Sequence, residues 1–253
     1  MSLKSIYDKA LLSLVRIRTI TEAGSATNGT AFVYEYVTDD NAFPFLVTAR
    51  SLVEDSAEGR IALMQAKGKE PLLGKGYTLD IDQFSKLWYA HPDPQQAVAV
   101  TPFVPFVRHV ENTGTRIFFN AFTADDGIAA SFYDNADLGQ RVSLVGYPSG
   151  YWDRKQLLAV SKEAGIASIP TLDYNERHQL LLDMPMQSGW LGAPVLVREG
   201  KKIKLMGLLT SGGVSDDQDL DHTIVDPGSM SVMLKLDSVL ETIRAYLREK
   251  GFI

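Results

Sequence analysis

Nucleophilic hydrolysis needs a hydroxyl or thiol to attack, a base to take its proton and a group to orient that base. This chain of 253 residues offers few such sets. It has no cysteine, which excludes a thiolate nucleophile, a disulfide framework and a thiolate metal site. Its four histidines, His91, His109, His178 and His222, are far apart in the chain and lack the short spacing of a zinc site. One hydroxyl sits where a turn could present it: Ser188 precedes Gly189 in the polar start of "MQSGWLGAPVLV" (186–197). Its base would have to be His91, with Asp93 two residues on to orient the ring. The competing reading makes His91 a turn residue ahead of Pro92. The acidic run "DDQDLDH" (216–222) lacks the glycine at the sixth position of a calcium loop and reads as a solvated turn. No phosphate-binding glycine loop occurs either, so neither a metal nor a cofactor is expected.

Any such groups must be held by a frame, and the frame reads as short strands. "GTAFVYEYV", "FPFLVTA", "RIALMQA", "KLWYA", "QAVAVTPF", "TRIFFNAF", "GIAASFY", "RVSLVGYP", "QLLAVSKEA", "HQLLLD", "GAPVLVRE" and "IKLMGLLTSG" are rich in Val, Ile, Phe and Tyr and are parted by Gly, Pro, Asp or Asn turns. With no helical pattern between them they predict an all-β fold, a barrel or sandwich, and not alternating strands and helices. The Pro-rich connection "LWYAHPDPQQAVAVTPFVPFVRHVENTG" (87–114) carries a boundary. It divides the chain into residues 1–110, an N-terminal segment with a first six-stranded barrel, and residues 111–253, a second barrel with a terminal helix. That helix follows Asp237 as cap, and Val239, Leu240, Ile243, Tyr246 and Leu247 recur on the face expected to dock on the second barrel. "LKSIYDKALLSL" (3–14) predicts another short helix.

Hydrophobic residues make up 45% of the chain and charged residues 22%, enough apolar material for one sizeable core or two small ones. Lys and Arg number 25 against 31 Asp and Glu, a formal net charge of -6, and the basic residues are scattered. Nucleic acid is therefore not an expected partner. No stretch reaches the roughly 18 apolar residues of a membrane span, so no membrane association is expected. The apolar "ALLSLV" near the N-terminus is broken by serine, is followed by Arg16 and Arg18 and has no small-residue cleavage site. A cytoplasmic location is the expectation.

Several stretches, in order, resemble the trypsin-like serine peptidase family, particularly its bacterial members. "GTAFVY" (29–34) and "FPFLVTARSLV" (43–53) look like the strand pair that leads to the catalytic histidine, with Ala31 in place of a family glycine. "HPDPQQAVAV" (91–100) resembles the stretch with the aspartate, and "LGQRVSLVGYPSGYWD" (138–153) and "AGIAS" (164–168) the strands that follow. "GWLGAPV" (189–195) resembles Gly-X-Ser-Gly-Ser-Pro-Val, and "KLMGLLTSGG" (204–213) the strand lining the substrate cleft. The resemblance implies two six-stranded antiparallel barrels with a C-terminal helix.

Carried over residue by residue, the resemblance sets the histidine position at Ser51, the aspartate at Ala97 and the nucleophile at Leu191. None of these supplies the family's chemistry: Leu191 has no hydroxyl, Ser51 no base near neutrality and Ala97 no charge. Without the imidazole a carboxylate at 97 would be a buried, unpaired charge costing several kcal/mol, so alanine there fits the other two losses. The implied protein is a catalytically inactive peptidase homologue that binds a peptide or protein. Gly189 matches the glycine whose N–H helps form the oxyanion hole. Gly189, Trp190, Gly192, Ser211, Gly212 and Gly213 are the candidate peptide-binding residues, by strand addition along 205–213 with Trp190 as apolar contact. The alternative is a serine-type hydrolase using Ser188, His91 and Asp93.

Overall fold

A computed structural model describes residues 6–39, 41–149, 151–200, 202–212 and 230–253. The helix expected near the N-terminus is α1 (Ile6–Leu12). The first unit continues with β1 (Leu14–Thr21), β2 (Ala26–Val37), β3 (Ala42–Ala49), the one-turn α2 (Arg50–Val53), β4 (Ser56–Lys67) and β5 (Glu70–Asp82). It ends with β6 (Tyr89–Ala90), β7 (Val98–Pro102), α3 (Val104–Glu111) and β8 (Ile117–Phe118). The second unit holds β9 (Arg141–Gly146), β10 (Val160–Ile166), β11 (Gln179–Asp183), β12 (Pro194–Glu199), β13 (Lys202–Gly212), β14 (Ser231–Lys235) and the terminal α4 (Leu236–Glu249).

One of the two expected barrels closes. The strands of the second unit pair in the ring β10-β11-β14-β13-β12-β9. The first unit is instead an eight-stranded sheet ordered β5-β4-β1-β2-β3-β7-β6, with β8 paired to β4. The strand expected at 86–90 is the reason its far edge stays short. Gln83 turns into the left-handed region at φ 53° and starts a 3-10 turn over Phe84–Leu87, so only Tyr89 and Ala90 remain to pair with β7. Because β8 joins this sheet, the first unit's strands run to residue 118, past the expected division at 110/111, which falls inside α3. The strand expected at "GIAASFY" is a 3-10 turn over Ala130–Asn135, and β5, broken by Gly74, Lys75 and Gly76, escaped the strand pattern.

Alternation along the strands gives the sheet two buried faces. Val15, Ile17, Ala31, Val33, Leu46 and Ile61 form a core of the first unit alone. The opposite residues, Phe32, Tyr34, Phe45, Val47, Val98 and Val100, join Val145, Leu205, Leu208, Val239 and Ile243 in a core shared by both units. A third core fills the closed barrel around Leu144, Leu180, Trp190, Val195, Met206 and Met233. Helix α4 packs on both units and not on the barrel alone. Its Tyr246 meets Phe45 and Tyr89 edge-on, with ring centroids 5.4 and 5.5 Å away, and Ser238 donates to Gln96.

Asp237 does not cap α4; the N-cap is Lys235, with no side-chain cap bond. Lys235 is 4% exposed, its Nζ 2.7 Å from Asp173 and 4.7 Å from the centre of the Tyr133 ring. His178 links the two carboxylates: Nδ1 lies 3.1 Å from Asp173 and Nε2 3.6 Å from Asp237. Pairing with Asp237, then the Asp173 charge, raises the His178 pKa against burial and the Lys235 charge. Burial alone would raise Asp173, but Lys235 and His178 outweigh it and hold the carboxyl below its ordinary value. The Asp237 carboxyl is lowered by His178 first, against burial. The His178 contribution is complete below its unfolded pKa and is lost as pH rises through the raised folded value, whereas the carboxylates contribute above their unfolded pKa values. We expect the urea midpoint to fall from about pH 6 to about pH 9 by more in the wild type than in His178→Gln; equal slopes would remove His178 from the anchoring of α4.

Candidate functional site

The site is assembled where β2 and β3 of the sheet meet the turn at 187–193. α2 follows β3 without a break, and the Arg50 N–H donates to the Ala97 carbonyl at 2.9 Å, which brings the segments carrying Ser51 and Ala97 side by side. Ser51 is exposed, its Oγ 3.5 Å from the carbonyl oxygen of Thr210 on β13. The turn closes on itself through Trp190 N–H to Gln187 O (3.2 Å) and Ala193 N–H to Trp190 O (2.9 Å). It is tied to β13 by Gly192 N–H to Leu209 O (2.7 Å) and Leu209 N–H to Ala193 O (2.9 Å).

Thr30 fastens this turn to the sheet, and every polar group it has is used. Its N–H donates to Leu191 O at 2.8 Å, its hydroxyl donates to Gly189 O at 2.8 Å and accepts the Tyr147 N–H at 3.1 Å, and its carbonyl accepts the Thr48 hydroxyl at 2.8 Å. The side chain is wholly buried, so each bond replaces water that cannot enter. Two glycines make the approach possible. Gly192 has φ +78°, and a Cβ there would stand 2.1 Å from both Thr30 O and Thr48 Oγ1. Gly189 has φ +100°, and a Cβ would stand 2.1 Å from Tyr147 O. Sequence reading missed Thr30, because a threonine inside a strand carries no mark of the turn it will hold.

The groups expected to bind peptide divide in two. The N–H groups of Gly189, Trp190 and Gly192 all donate within the chain, that of Gly189 to Asn28 O at 2.9 Å. Trp190, expected as an apolar contact, is 2% exposed and packs inside the barrel with its indole N–H unpartnered. The large indole finds more apolar area to bury there than a cleft wall would offer. Ser211 is exposed, and β13 keeps β14 on one side through Ser211 and Gly212 while its pairing with β12 ends at Leu208. Among the described residues the stretch of β13 without a strand partner on the β12 side is therefore short, Thr210 to Gly212, and not the whole of 205–213. Gly213 lies outside the described residues, as do His222 and the acidic run 216–222.

Ser188, His91 and Asp93 are not brought together. The Ser188 hydroxyl accepts from Ser149 at 3.1 Å. His91 Nδ1 accepts the Asp93 N–H at 2.9 Å, and its Nε2 lies 3.5 Å from Glu241 of α4. The Asp93 carboxylate is spent on the Gln95 N–H at 2.9 Å. Among the described residues no hydrogen bond joins Ser188 to His91. The His91 ring closes its own turn, and that leaves it no lone pair for a distant hydroxyl.

Neither a family model nor a curated protein sequence matches this chain. Solved structures do. The HtrA-type protease AlgW with a tripeptide aligns with a TM-score of 0.56 at 14% identity, over 99% of this chain and 65% of that one. The Rv3671c protease of M. tuberculosis in its active form gives 0.53 at 15% identity, over 94% and 82%, and Deg5 gives 0.53 at 17%, over 96% and 91%. The fold resembles that of trypsin-like serine proteases. At these identities the likeness is one of fold. In this chain the barrel is closed by strand pairing all the way round, and Thr30 is one of the links that join the sheet to it.

Thr30→Val keeps the strand and the volume but strips partners from the Gly189 carbonyl and the Tyr147 N–H. It should destabilise the chain by about 2–3 kcal/mol in urea unfolding and speed amide exchange at Tyr147, with Thr30→Ser restoring most of the loss. Unchanged exchange at Tyr147 in Thr30→Val would refute this role.

Proposed function

We propose that this chain is a catalytically inactive homologue of trypsin-like peptidases that holds an extended peptide or protein segment in the cleft between sheet and barrel. The observation that carries the reading is the Gly189 N–H. The resemblance assigns it to the oxyanion hole, yet it donates to Asn28 O at 2.9 Å. A donor already paired inside the protein cannot meet charge developing on a substrate oxygen without first breaking that bond. The residues at the three aligned positions agree: the Ser51 hydroxyl lies against a carbonyl oxygen and not a base, Ala97 offers only its backbone carbonyl, and Leu191 has nothing to attack with.

Binding needs less than catalysis does. An extended segment can pair with the main chain at Thr210 to Gly212, beside the exposed Ser211, and side chains at the rim then select among sequences. So short an edge supplies two or three main-chain hydrogen bonds, about 1 kcal/mol each net, so affinity is modest unless a partner touches more of the rim.

Two measurements test the two halves. A fluorophosphonate probe should label neither the wild type nor Leu191→Ser, because a serine without a base keeps its weak free nucleophilicity. Labelling of the wild type at the rate of an ordinary serine peptidase would return a hydrolase reading, and labelling of Leu191→Ser alone would show that a base stands beside that position. Extended peptides drawn from a diverse library should slow amide exchange at residues 210–212; if no member protects any residue of 186–212, the cleft does not bind peptide.

A further inference from the structure

Residues of β1, β4 and β5, with Tyr147, Trp152 and Leu157 of the second unit, line a cavity of about 260 Å³. Leu14, Leu63, Phe118, Phe119, Trp152 and Leu157 give it apolar walls; Ser13, Thr78, Tyr147 and Arg16 are polar, and Arg16 is the charged member. Arg16 is the cross-strand neighbour of Thr30 on β2 and of Ala62 on β4, at half-buried depth on β1. Its guanidinium carbon lies 4.7 Å from the centre of the Trp152 ring. Among the described residues no carboxylate pairs with it; the nearby Arg60 is spent on Asp80 at 2.5 Å. Burial is the main cause that lowers the Arg16 pKa; Tyr147 opposes it next, and the charges of Arg60, Arg154 and Arg18 each add a smaller lowering. Burial raises the Tyr147 pKa, so its phenol stays a neutral donor.

A cation half out of water, among other cations and without a counter-ion, is an unfavourable arrangement that an anion would relieve. The apolar walls say what else that anion carries. The cover of the cavity comes from the loop after β9: Asp153 and Leu158 exchange backbone hydrogen bonds at 3.0 and 3.1 Å, and the Gly74 N–H of β5 donates to Gln156 O at 3.0 Å. Leu157, at the wall, is held at φ +59°, a conformation costing a leucine roughly 1 kcal/mol or more and one that clusters at ligand clamps.

We propose that this cavity binds a small monocarboxylic acid with an apolar tail of about six to eight carbons, its carboxylate on Arg16, since the volume equals about nine waters at roughly 30 Å³ each. The site is separate from the cleft and does not rest on the reading of the cleft as a peptide site.

The test is calorimetric titration of the full chain with sodium octanoate, with 1-octanol as the uncharged counterpart. Octanoate should bind saturably, and octanol at least about tenfold more weakly. Arg16→Met keeps an apolar stem and removes an unpaired charge, so it should fold with an unchanged or higher Tm and lose octanoate affinity at least about tenfold. Ala62→Leu, which fills the cavity from the opposite strand and leaves Arg16 in place, should lose octanoate and octanol alike. An N-acetylated dileucine acid that binds more tightly than octanoate, and fails as its amide and in Arg16→Met, would support the site and assign the carboxylate to a peptide C-terminus. Octanoate binding left intact by Arg16→Met, or no saturable binding by the wild type at millimolar concentrations, would overturn the proposal.

Discussion

The hydrogen bonds of one buried threonine hold the two halves of this protein in register. Thr30 sits in β2, at the sheet face that meets the barrel, and its hydroxyl, N–H and carbonyl reach Gly189, Leu191, Tyr147 and Thr48. None of these contacts tolerates water or a spare atom, because Gly189 and Gly192 bring backbone to within the reach of a missing Cβ. The turn at 187–193 has its conformation because β2 presents those partners. Asn28 takes the N–H of Gly189, so the same closeness that makes the interface strong also uses up that donor.

Around that contact the fold distributes its apolar residues over three cores, and the central one belongs to neither unit alone. That explains why β2, with six consecutive buried residues, reads as a continuous apolar run where a one-faced strand would alternate. It also explains the two-sided docking of α4. The helix covers the seam where Phe45 and Val100 of the sheet meet Leu205 and Leu208 of the barrel, and Lys235 with Asp173 and His178 pins its start to the barrel. A buried lysine is tolerable at that point because a carboxylate and an aromatic face share the charge that water has left.

Much of this was legible. Nine of the expected strands correspond to β2, β3, β4, β7, β9, β10, β11, β12 and β13, because β-branched and aromatic residues between turn formers leave few other ways to bury them. The misses have local causes. β5 carries Gly74, Lys75 and Gly76 where the pattern wants apolar residues, and the pairing with β4 supplies what its own composition lacks. "GIAASFY" has the composition of a strand but lies between the units, where Phe132 buries into the barrel from a 3-10 turn. Asp237 has the side chain of a cap yet is drawn to His178, a residue 59 positions away that no local pattern could connect to it.

The sequence by itself determined the mainly β frame, the terminal helix and the absence of a thiol, since periodicity and residue type are properties of short stretches. It also determined which side chains stand at Ser51, Ala97 and Leu191. Tertiary structure decided how those positions are used. Whether Trp190 faced a partner or the barrel interior, whether the Gly189 N–H was free or bonded to Asn28, and whether Arg16 met a carboxylate or a largely apolar cavity wall all depend on pairs of residues far apart in the chain. Burial and hydrogen bonding are relations between such pairs, and a residue's type states its capacity for them without stating the partner.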